Sequence, residues 1–115
     1  MTLREKQSIF VLKIARLIAF ADSMGYALTF GEAWRPPETA ALYAKQGKGI
    51  ATSLHINRLA VDFNLFKNGV FLNTSDAHRP LGEFWESLSD TSVTCHWGGR
   101  FGDGNHYSIG HAGRK

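Results

Sequence analysis

Leu59-Ala60-Val61-Asp62-Phe63-Asn64-Leu65-Phe66 decides the fold. Leu59, Val61, Phe63 and Leu65 alternate with Ala60, Asp62, Asn64 and Phe66, and successive side chains of a strand point to opposite faces. The first set makes a core face to be covered by a helix. Asp62 and Asn64 look out from the other face, side by side. Lys67-Asn68-Gly69 has the chemistry of a tight turn, so Val70-Phe71-Leu72 is expected to return as the second arm of a hairpin.

The covering helix is found upstream. Thr2 and Glu5 fit a capping box, and Phe10, Ile14, Leu17, Ile18 and Ala21 recur at three- and four-residue intervals up to a stop near Gly25. Ile9 and Phe20 fall off that stripe, so the helix is expected to be covered on more than one side. Tyr26 to Glu32 reads as a strand that delivers Trp34 and Arg35 to a loop closed by Pro36-Pro37. Glu38 to Gln46 reads as a short helix stopped by Gly47, and Gln46 to Thr52 as a flexible connection into Ser53 and His55.

Downstream, Pro80 opens a helix through Ser89 with Leu81, Phe84, Trp85 and Leu88 as its apolar stripe. From Ser92 the chain turns to short strand-like pieces punctuated by Gly98-Gly99, Gly102 and Gly104. A strand there would put His106 and Ser108 on one face and Tyr107 and Ile109 on the other. The sum is a single domain over residues 1–115 of α+β class. Helices pack on one face of a small, mostly antiparallel sheet, and the polar site lies on the opposite face.

Composition narrows the function classes. At 115 residues with 43% hydrophobic and 20% charged side chains, the chain can bury an ordinary globular core. Cys95 is the sole cysteine, which excludes an internal disulfide and any multi-cysteine metal site. The net charge of +3 favours anionic partners, but the basic residues are scattered without a run, so a nucleic-acid partner is not expected. The apolar segment from Ile9 to Ala21 is interrupted by Lys13 and Arg16 and is too short to span a bilayer. It also lacks a cleavage site, so neither an export signal nor stable membrane insertion is expected. The expected state is a monomer made in a cytosol.

His55, Asp62 and His106 are the candidate metal ligands. Two imidazoles and a carboxylate suffice for a catalytic zinc ion, which keeps a further position open. Asp62 is the first polar residue on the outer face of its strand, and His106 can enter from a neighbouring one. Asp103, between two glycines, reads equally as a turn residue and as a general base toward water. Arg35 reads as a surface charge or a clamp for a substrate carboxylate. Ser53 reads as a cap of its own loop or a hydrogen-bonding group for substrate. His96 and His111 are alternative ligands without a carboxylate at comparable spacing. His78, beside Arg79-Pro80, is expected at the surface, and Cys95 in the core rather than as a nucleophile.

At these residues the chain resembles a known family. Ser53-Leu54-His55 through Ala60-Val61-Asp62 is similar to the SxHxxGxAxD signature of the zinc D-Ala-D-Ala carboxypeptidases and L-alanyl-D-glutamate endopeptidases. Trp97-Gly98-Gly99 and Asp103-Gly104-Asn105-His106-Tyr107 resemble that family's WGG and DxxHF. Gly31-Glu32-Ala33-Trp34-Arg35 sits where the family has an arginine near its substrate. The likeness runs in order from about Phe10 to Ser108. Arg58 stands where the family has glycine, Trp34 where tyrosine is common, and Tyr107 where phenylalanine is usual.

The resemblance implies His55, Asp62 and His106 as Zn2+ ligands, Asp103 as catalytic base, and Arg35 as a substrate-binding residue. It implies the small α+β fold shared with the signalling domain of hedgehog proteins. Small stand-alone members are typically bacteriophage endolysins, which cut the stem peptide of bacterial peptidoglycan. Such enzymes often wait in the host cytoplasm, without a signal peptide, until a membrane pore admits them to the periplasmic wall.

Overall fold

Strand β2 (Ala60–Lys67) is the axis of the sheet in the computed structural model, which describes residues 1–48 and 53–115. Strand β1 (Tyr26–Phe30) runs antiparallel along one edge of it, Phe30 opposite Phe63 and Tyr26 opposite Lys67. The other edge is shared. Strand β5 (His106–Ile109) pairs with the first half of β2, and β3 (Val70–Leu72) with the second. Strand β4 (Cys95–Trp97) closes the order β1-β2-β5-β4, and every pairing is antiparallel.

Helices α1 (Leu3–Ser23) and α3 (Arg79–Ser87) cover the face on which Leu59, Val61, Phe63 and Leu65 are buried; α2 (Pro37–Lys45) follows the β1 loop. The capping box forms, with Thr2 and Glu5 each accepting the other's backbone N–H. Phe10, Ile14, Leu17 and Ala21 face the core as the spacing predicts, while Ile18 is 38% exposed. Phe20, off that stripe, stacks on Phe84 of α3 with ring centroids 4.0 Å apart. Trp85 ties α3 to the sheet, its indole N–H shared between the carbonyls of His96 and Ser108 at 3.1 and 3.0 Å. The flexible connection expected over residues 46–52 falls partly on residues 49–52, outside the described ones.

One expectation is corrected. His78 is not at the surface: it is 3% exposed, and its Nδ1 lies 2.8 Å from the Tyr107 hydroxyl. A 3-10 turn at Asp76–His78 precedes α3 and turns the imidazole inward. There it partners a phenol that is otherwise enclosed by apolar residues.

The segment from Leu54 to Leu59 has the hydrogen bonding of a helix end. Leu59 N–H bonds to the Leu54 carbonyl at 3.1 Å and Arg58 N–H to that of His55 at 3.2 Å, the paired pattern of a Schellman motif. Its left-handed position falls on Arg58, with φ of 57°. Glycine is favoured there, so the departure at Arg58 carries strain. The Arg58 guanidinium lies 4.4 Å from the ring centroid of Trp34, a contact worth about 0.5–1 kcal/mol at an exposed site. Arg58→Ala is therefore expected to destabilise by about that amount, because it keeps the strain and loses the stacking. Arg58→Gly exchanges one for the other and should stay within about 0.5 kcal/mol of the parent. Denaturant titration of the two variants checks the order; an alanine variant as stable as the glycine one would refute it.

Candidate metal centre

Asp62 stands directly opposite His106 in the β2–β5 ladder. Side chains so paired on one face of an antiparallel sheet lie about 4.5–5.5 Å apart at Cβ. The sheet register alone therefore brings the carboxylate to one imidazole. His55 arrives from the turn before β2, which is held in place by the Arg35 N–H on the His55 carbonyl at 3.3 Å. The Ser53 hydroxyl accepts the His55 N–H at 3.2 Å and so fixes that loop from within.

His55 Nε2 lies 3.4 Å and His106 Nδ1 3.6 Å from the same oxygen, Asp62 Oδ1. One donor atom from each of the three residues falls within 4.8 Å of the others. The two rings meet edge-on with centroids 5.3 Å apart, His55 being 3% and His106 7% exposed. Asp62 Oδ1 and His55 Nδ1 are buried without a hydrogen-bond partner. A buried carboxylate oxygen without a partner is costly. A cation seated among the three donors would satisfy it, so the residues present fit a divalent metal. Burial pushes the Asp62 carboxyl up, but the two imidazoles outweigh it and hold the group at about 2, ionised as a ligand must be.

Asp103 sits at the mouth of the cluster, half exposed, with Oδ2 4.0 Å from His106 Nδ1. Its backbone also makes a turn: Asp103 N–H bonds to the Gly98 carbonyl at 2.8 Å, and its own carbonyl accepts His106 N–H at 3.0 Å. Both readings of this residue thus hold together. Burial raises its pKa above the ordinary carboxylate range, with the Asp62 charge adding to it and His106, His55 and Arg35 opposing. Arg35 lines the same cavity, of about 290 Å³, together with Ser53, Phe101 and Lys115. Its guanidinium is held by Glu32 Oε1 at 2.6 Å and lies over the Tyr43 ring. His96, His111, His78 and Cys95 lie outside the donor cluster.

Two supporting groups escaped the sequence reading. Glu32 Oε1 faces His55 Nδ1 at 3.8 Å, brought there because Asp62 N–H bonds to the Glu32 carbonyl at 2.9 Å. The Lys115 main-chain oxygen lies 3.2 Å from His106 Nε2. With the outer nitrogen donating there, the Nδ1 lone pair is left for the cluster. The position of Glu32 three residues before Arg35 was a visible signal; nothing in the sequence marks the Lys115 contact.

Outer partners of ligand histidines typically govern 10- to 100-fold in metal affinity. Glu32→Gln is expected to weaken the binding of a divalent metal by about tenfold. Arg35→Gln, which leaves the carboxylate in place, should change it little. Competition against a chromophoric chelator measures both, and equal losses in the two variants would assign the effect to the broken ion pair. No family model and no curated protein sequence matches the chain.

Proposed function

We propose that the protein is a zinc-dependent peptidase of the bacterial cell wall, of the phage endolysin kind, hydrolysing the L-alanyl–D-glutamate amide of the peptidoglycan stem peptide. The observation that carries this reading is the meeting of His55, Asp62 and His106 around one buried, unpartnered carboxylate oxygen, with the Asp103 carboxyl at its open side. The motif likeness over the same residues supplies the substrate class, and the α+β architecture is compatible with it.

His55 Nε2, Asp62 Oδ1 and His106 Nδ1 would hold the ion. When bound, zinc supplies a Lewis acid that acidifies water and polarises the scissile carbonyl. The chain's own part is positioning and proton handling. Asp103 accepts a proton from the attacking water and returns it to the leaving amine nitrogen, and its raised pKa suits a group that must carry the proton between the two events. Arg35, anchored on Glu32, offers its remaining N–H groups to a substrate carboxylate and so orients the peptide.

The test is digestion of purified peptidoglycan by the zinc-loaded protein, with mass spectrometry of the released fragments. New alanine carboxyl and glutamate amino termini are expected. Release of terminal D-alanine would mark a carboxypeptidase instead. An intact polymer beside a tightly bound metal would mark a zinc-stabilised binding module and end the peptidase reading.

A further inference from the structure

Strands β5 and β3 share one edge of β2 but leave a gap: β5 pairs as far as Asp62, and β3 takes up the edge from Leu65. In the gap is a cavity of about 180 Å³, walled by Phe63 and Asn64, by Phe71 and Leu72, and by Gly104 and Asn105. It adjoins the metal cluster. Asp103 and His106 line the metal cavity, and Gly104 and Asn105, between them in sequence, line this one. Asp62 and Asn64 divide in the same way along β2, where two residues span about 6.5–7 Å. The wall between the cavities is pinned on both sides. Gly104 N–H bonds to Ser75 Oγ at 3.0 Å, and the Gly104 carbonyl accepts the Trp97 indole N–H at 2.7 Å. A Cβ at Gly104 would overlap the Ser75 backbone, so glycine permits this close approach.

Among the described residues, none that lines this cavity is an acid, a lysine or an arginine. Burial lowers the pKa of His78, which keeps that ring neutral. A charged ligand would lose its water here without gaining a counter-charge. A neutral polar one is better served. The side-chain amides of Asn73 and Asn105 have no hydrogen-bond partner among the described residues. Asn64 donates one amide N–H to Thr29 Oγ1 at 3.1 Å and keeps its carbonyl oxygen. His78 is 3% exposed, with Nδ1 engaged by the Tyr107 hydroxyl and Nε2 without a partner among the described residues. A buried ring nitrogen left unpaired beside a cavity is a group that a ligand would satisfy. Phe63 and Leu72 add an apolar wall, and Phe71, 52% exposed, an aromatic face at the rim.

The cavity falls below the roughly 300–1,000 Å³ that encloses a drug-sized ligand, so it admits one compact substituent rather than a length of chain. We propose that it is a subsite for an N-acetylated amino sugar. The acetamido arm enters beside His78 with its methyl against Phe63 and Leu72, and the C–H face of the sugar ring lies on Phe71. A peptide unit offers one N–H and one carbonyl, fewer partners than the open amides and imidazole can take; a sugar adds several hydroxyls. That this sugar is the one joined to the first alanine of the stem peptide rests on the peptidase reading, which puts the alanyl carbonyl at the metal cluster and the sugar next to it. The sugar chemistry of the cavity does not rest on it.

The methyl glycosides of N-acetylglucosamine and of glucose, and N-acetylalanine methylamide, are titrated separately into the metal-free protein. The His78 ring and the side-chain amides of Asn73 and Asn105 report binding by their resonances. The N-acetylated glycoside should shift them saturably, and the plain glucoside should bind about fivefold more weakly for want of the acetamido hydrogen bond. Phe71→Ala should weaken the N-acetylated glycoside about fivefold, and Phe71→Trp should restore it to within about twofold. In the zinc-loaded protein Phe71→Ala should raise KM about fivefold for stem peptide that still carries its sugar, with kcat unchanged. KM for the free stem peptide should not move. Resonances that ignore the N-acetylated glycoside, or a Phe71→Ala protein that binds it as well as the parent, overturn the proposal. Response to the methylamide alone overturns the sugar assignment, and equal binding of the two glycosides overturns the acetamido one. Should neither peptide be cleaved, the peptidase reading fails while the titration still decides the subsite.

Discussion

On the proposed peptidase reading, Asp103→Asn is expected to bind zinc as the parent protein would and to lose stem-peptide cleavage by about 10²- to 10⁴-fold, the range that a positioned general base contributes. Two features separate this residue from the ligands. Its Oδ2 stands 4.0 Å from His106 Nδ1 and its side chain is half exposed, whereas the three donors are gathered on the buried Asp62 oxygen. Its structural work is done by the backbone, through the bonds to Gly98 and His106, which asparagine preserves. The amide has the carboxylate's shape without its capacity to take a proton, so binding and chemistry part company. His106→Ala removes a donor and should lose metal and cleavage together. Chelator competition beside a timed digestion measures both quantities. A fully active Asp103→Asn protein would refute the assigned base, and one that no longer holds zinc would move Asp103 among the ligands.

What the sequence made legible follows from periodicity. The alternation in β2 specified which of its faces is buried, and Phe63 and Leu65 lie where it put them, at 1% and 0% exposure. Once that face is known, Asp62 must point to the opposite side, and only the register with β5 remained to bring it to His106. Register is a long-range property, so spacing permitted the meeting without demanding it.

What the sequence left unread has the opposite cause: a single residue whose environment comes from distant chain. His78 has no period of its own and is buried by Tyr107, which lies 29 positions away. Lys13 does interrupt the apolar run of α1, but the sequence does not say where its charge goes. It lies within the buried stripe, 8% exposed, its ammonium bonded to the Leu88 carbonyl and to Asp90. Ile18 kept the helical spacing but faces a shallow apolar depression beside Phe30 rather than the enclosed core. His96, left out of the ligand set for want of a carboxylate at suitable spacing, falls opposite Ser108, one strand beyond the Asp62–His106 pair, and lines a cavity with Lys6 and His111 instead.

Gly98→Ala should cost about 1–3 kcal/mol of stability, as overpacking does, and weaken metal binding with it. A Cβ at Gly98 would overlap the Asp103 carbonyl oxygen and stand 2.7 Å from the Cβ of His106. Neither neighbour is the free end of a flexible side chain: one is backbone, the other is fixed in β5. The Asp103 oxygen is also the acceptor for His106 N–H, so pushing it away disturbs the base and a ligand by one displacement. Gly102→Ala isolates the alternative cause. Its φ of 80° disfavours any side chain, yet nothing lies within 4 Å of where the methyl would be. It should therefore cost about 1–2 kcal/mol through backbone strain alone and leave zinc affinity close to the parent's. Thermal melts of the metal-free proteins, set beside their zinc dissociation constants, separate crowding from strain. If Gly98→Ala kept the parent's affinity, the packing of Gly98 against Asp103 and His106 would have no part in holding the site.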